Sequence, residues 1–101
     1  MKQNNSKPVF VFVNCEGVSF NVFFKKPHPS YGADGLCFSP CKNTPKKSKI
    51  YISPELGQKT KLNVCIHEFT HAFFWDKTEK EVTYFANILT KFLYKNKWRQ
   101  R

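Results

Sequence analysis

The chain of 101 residues suits one compact domain and leaves no room for separate substrate and regulatory domains. With eleven Phe, two Trp and four Tyr it carries enough apolar mass for a packed core, so the chain is expected to fold rather than stay disordered. Seventeen Lys and Arg against seven Asp and Glu give +10 at pH 7, a charge suited to nucleic acid, an anionic surface or an acidic protein without choosing among them.

The first apolar run, Val9 to Val13, is five residues long, short of the seven to fifteen typical of a secretion signal. No stretch approaches the length of a membrane span. The expectation is an intracellular protein without membrane contact. In that setting Cys15, Cys37, Cys41 and Cys65 are expected as free thiols, and the spacing of Cys37 and Cys41 is not that of a zinc ribbon.

In chain order, Val9 to Val13 and Val18 to Phe24 read as strands, joined as a hairpin around Asn14-Cys15-Glu16-Gly17. Residues 26–47 hold four of the six prolines and little periodicity, so they read as a long loop that is functional or mobile. Lys49 to Ser53 alternates Ile50 and Ile52 with polar neighbours and predicts a third strand that Pro54 stops. A helix follows in which Leu62, Ile66, Phe69 and Phe73 fall within about 60° on a wheel, with His67 and His71 on roughly the opposite side. Thr78, with Glu81 three residues on, predicts a capping box opening a second helix to about Tyr94, with Val82, Phe85, Ala86, Leu89, Phe92 and Leu93 as its buried face. The link Trp75-Asp76-Lys77 is short enough that the helices double back. The fold class is therefore α+β, a short antiparallel sheet of about three strands followed by a two-helix hairpin.

His67-Glu68-Phe69-Thr70-His71 is an HExxH pattern. Four residues are slightly more than one helical turn, so both imidazoles share a face with Cβ atoms about 5–6 Å apart, close enough to hold one ion. Glu68 is rotated by about 100° from His67 and stands beside that ion rather than on it. A base belongs there, taking a proton from a zinc-activated water and passing it to a leaving amine.

A third protein ligand is needed, and Asp76, Glu79 and Glu81 are the candidates. Glu81 has a separate use in the capping box, and Asp76 suits the tight link or an outer contact to a histidine. The wheel does not decide between Glu79 and Glu81. Glu79, however, shares its edge with Thr83, Ala86 and Thr90, whereas Glu81 is flanked by Ile88 and Phe92, and a metal site needs the roomier edge.

From His67 to Ala86, preceded by KSKIYISPELGQKTKLNVCI, the chain resembles the small HExxH metallopeptidases of phage genomes, which are gluzincin-like and more distantly similar to SprT-like and ImmA/IrrE-type peptidases. The resemblance implies a zinc-dependent peptidase with His67 and His71 as ligands, Glu68 as base and Glu79, opening the second helix, as third ligand. It covers roughly residues 18–98, weakly before Lys49. Gly35-Leu36-Cys37-Phe38-Ser39-Pro40 resembles a cluster common in the preceding loop of that family.

An oxyanion donor is not evident, with Tyr31, Tyr51 and His28 as candidates. The tail from Lys95 to Arg101 interleaves Lys and Arg with Trp98, a composition that suits nucleic acid as well as a solvated helix end. Protein or peptide substrate is the expected partner, nucleic acid a further one. A noncatalytic zinc-stabilised module and a basic nucleic-acid-binding protein are the rival functions.

Overall fold

The structure, a computed structural model, describes residues 7–38 and 47–96. Four strands, β1 (Phe10–Val13), β2 (Ser19–Phe23), β3 (Gly35–Cys37) and β4 (Lys47–Ile52), precede two helices, α1 (Gln58–Phe73) and α2 (Glu79–Lys95). The chain is α+β as expected, but the sheet has four strands in the order β1-β2-β4-β3 and is mixed, because β4 runs parallel to β2 and antiparallel to β3. Ile50 and Ile52, 0% and 1% exposed, face the core from β4, which lies between β2 and β3.

The β1–β2 hairpin closes on Asn14, which is buried and whose side chain joins three elements. Its Oδ1 accepts from the N–H groups of Glu16 and Val18, both at 2.9 Å, while its Nδ2 donates to the carbonyl of Ala72 at 2.8 Å. That last bond satisfies a carbonyl in the final turn of α1, where no intrahelical donor remains. Gly17 completes the turn at φ 79°, a conformation that side chains resist.

Residues 26–47 are not one long loop. They contain a 3-10 turn at Pro29–Tyr31 and the strand β3, which short length and few β-branched residues hide from periodicity; residues 39–46 lie outside the described ones.

Val18, Phe20, Val22, Ile50, Ile52 and Ala72 form the core between sheet and α1, with Val64, Cys65 and Phe73 packed against it. Each large apolar side chain buried there contributes about 1.5–3 kcal/mol. Phe12 ties β1 to the helix, its ring 4.2 Å from that of Phe69 and 5.5 Å from that of Phe73.

The buried face of α2 differs from expectation. Val82, Ala86 and Thr90 are buried, while Phe85 and Phe92 are 48% and 57% exposed. The cause is that among the described residues α2 packs chiefly on α1, so a narrow stripe of small residues at four-residue spacing makes the contact and no described element covers the bulky flank. Among the described residues no helix is long and apolar enough to cross a membrane.

Candidate metal centre

His67 and His71 stand one turn apart on α1, on the side that faces α2. Glu79 is the first residue of α2, and the capping box sets its position. Thr78 accepts from the N–H of Glu81 at 3.1 Å, and the Glu81 carboxylate accepts from the N–H of Thr78 at 2.9 Å. These bonds hold the Glu81 carboxyl below its ordinary range and keep it on the cap. Glu79, freed from capping and directed along the Ala86 and Thr90 edge that α1 covers, reaches the histidines.

The Glu79 carboxylate lies 2.8 Å from His67 Nε2 and 2.9 Å from His71 Nε2, and the two Nε2 atoms are 3.2 Å apart. Adjacent ligand atoms on a tetrahedral zinc with bonds of about 2.0–2.1 Å stand about 3.3 Å apart. Two imidazole nitrogens and one carboxylate oxygen, all within 4.8 Å of one another, are a donor set that fits a divalent cation. His67 and His71 are 16% and 26% exposed at their side chains and Glu79 is 71% exposed, so the group opens to solvent on one side. Asp76 and Glu81 are not brought into it.

Glu68 lies at the other side of His67, 7% exposed, against β3. Burial first, then the negative charge of Glu79, push its carboxyl up to about 7. The approach of β3 depends on Gly35. A Cβ there would stand 2.5 Å from Val64 Cγ1 and 3.1 Å from Glu68 Cγ and Oε2, so any side chain would displace the strand from the helix and press on the carboxylate.

The result is a cleft of about 350 Å³, with His67, Glu68 and His71 on the α1 wall, Gly35 to Phe38 on the opposite wall, and Trp75 and Glu79 at its end. Sequence reasoning did not single out Gly35 or Trp75 as parts of a site. Gly35 opens the cluster that the resemblance marks without a role, and Trp75 belongs to the link; what brings both to the cleft is contact between residues far apart in the chain. Tyr31, Tyr51 and His28 do not line this cleft; they line a separate groove beyond β3. Cys37 borders the cleft as a neutral thiol, pushed up to about 12 by burial and then by the charge of Glu68. Cys15, Cys37 and Cys65 are free; Cys41 and residues 97–101, with Trp98, lie outside the described residues.

A buried carboxyl without a cationic partner costs stability once ionised, and the sign follows from its raised value. Below pH about 4.5 Glu68 is protonated in folded and unfolded chains alike and costs nothing. As pH rises toward 7 the unfolded chain ionises first, and stability drains away by about 3 kcal/mol before levelling off. Glu68→Gln removes the titration, so the metal-free variant should match the parent at pH 4.5 and exceed it at pH 8 in urea melts with chelator present. A difference that does not change with pH would contradict the burial of this carboxyl.

No family model, curated protein or solved structure matches the chain.

Proposed function

We propose that the protein is a minimal zincin-like metallopeptidase, with His67, His71 and Glu79 as zinc ligands and Glu68 as general base. The observation that carries the proposal is the convergence of two imidazoles and one carboxylate beside a second, buried carboxyl poised near neutral pH. Zinc held by His67, His71 and Glu79 would supply a Lewis acid and lower the pKa of a water toward about 7.

The chain's own groups divide the remaining work. Glu68, beside the donor group and not part of it, would accept the water proton on its carboxylate and return it to the departing amine. Its burial against β3 keeps bulk water from competing for that proton. The backbone of β3 offers a place for the substrate. Phe38 donates to the carbonyl of Lys49 and Ser53 to that of Asp34, so by alternation the N–H and C=O groups of Gly35 and Cys37 point away from β4. An extended peptide can pair with that edge alongside the cleft.

Incubating the zinc-loaded chain with a mixed peptide library, and reading new termini by mass spectrometry, tests the proposal. Cleavage should disappear with chelator and return with zinc. A zinc-loaded chain that generates no new termini from any peptide would favour a noncatalytic zinc module.

A further inference from the structure

α1 packs on one side of the sheet, and α2 packs on α1. The opposite face carries the alternate residues: Val11 and Val13 from β1, Asn21 and Phe23 from β2, Lys49 and Tyr51 from β4, and Leu36 from β3 with Phe38 just beyond it. No described helix of the α1–α2 pair packs on it, and the 3-10 turn at Pro29–Tyr31 covers one end by setting Tyr31 against Phe38.

Four aromatic rings cross this face in a continuous run. Phe23 and Tyr51 have centroids 5.5 Å apart, Tyr51 and Phe38 5.7 Å, and Phe38 and Tyr31 5.9 Å. Phe23, Phe38 and Tyr51 are half-buried and Tyr31 is 53% exposed. Tyr31, Phe38 and Tyr51 line a groove of about 500 Å³ whose rim carries Lys25, Lys26 and His28. Lys49 stands exposed on the same face. Lys25 and Lys49 have no ion-pair partner among the described residues, and Lys26 meets Glu55 at 3.9 Å with both side chains largely in solvent, a contact that holds little charge back.

We infer that this face binds single-stranded nucleic acid, with bases laid on the aromatic run and phosphates on the lysines. Rings on an open sheet with cations at the margin match what unpaired nucleotides offer, a flat π surface and a negative backbone. A duplex hides its base faces in its own stack and can use only the lysines. An acidic peptide likewise satisfies the lysines and leaves the rings unused. The net charge of +10 supports approach of the polyanion from a distance. This face shares Leu36 and Phe38 with the cleft wall but none of the groups of the metal centre, and the inference stands whether or not the chain hydrolyses peptides.

The test is fluorescence anisotropy of the full chain with a labelled oligothymidylate of about ten nucleotides. It is run in chelator, so that zinc plays no part, and over a series of salt concentrations. Tyr31→Ala should weaken binding about 5- to 100-fold while the chain stays folded at the assay temperature, because the ring is 53% exposed and lies on a turn outside the core. Replacing Lys25 and Lys49 together by Ala should flatten the slope of log affinity against log salt by about 1.4. Tyr31→Ala binding as tightly as the parent, a duplex binding as tightly as the single strand, or a polyglutamate peptide binding more tightly than the oligonucleotide would each overturn the inference.

Discussion

Glu68→Gln is expected to keep one zinc ion per chain and to lower peptide turnover about 10²- to 10⁴-fold, the range that positioned proton transfer supplies. The amide matches the carboxylate in shape, so Gly35 and Val64 stay packed against it, and the imidazole and Glu79 atoms that face the metal are untouched. What it loses is the capacity to take a proton. Unfolding does not offer a competing explanation, because removing a buried ionisable group stabilises the metal-free chain above pH 7. Zinc content measured beside the rate of library cleavage checks the prediction, and undiminished cleavage by a variant that still holds zinc would remove Glu68 from the mechanism.

The second large effect concerns the ligand that comes from the other helix. Glu79→Ala should lower zinc affinity by more than about 100-fold, since even residues that merely orient a ligand contribute 10- to 100-fold. The side chain is 71% exposed and takes no part in the helix cap, so its removal leaves the core and the capping box intact. Glu81→Ala is the matched control: it removes the carboxylate half of the capping box but keeps the bond from the N–H of residue 81 to the Thr78 hydroxyl, which still starts the helix and holds Glu79 beside the histidines. Elemental analysis after gel filtration should find zinc with the parent and Glu81→Ala chains and none with Glu79→Ala. Zinc retained by Glu79→Ala and lost from Glu81→Ala would reverse the assignment.

The elements fixed by neighbouring residues could be read from the chain. The two histidines share a helical face because four residues make about one turn. The capping box of Thr78 and Glu81 and the turn closed by Asn14 and Gly17 are written within four residues each, and all appear in the structure. The choice of carboxylate was only partly legible. Glu79 and Glu81 flank the same stripe, and what separates them is which edge α1 covers, a property of helix packing rather than of the wheel.

Strand order was not legible at all. Alternation of Ile50 and Ile52 reads the same whether β4 lies at an edge or between two partners, and whether its neighbour is parallel or antiparallel. Likewise Phe85 and Phe92 have the pattern of a buried face and stand exposed, since burial requires a partner surface that hydrophobic periodicity cannot supply. By itself, then, the sequence determined the local devices: the spacing of the histidines, the helix cap and the hairpin turn. Only tertiary structure decided which carboxylate joins the histidines, where β3 presses on Glu68 and which sheet face stays open, because each depends on contacts between residues far apart in the chain.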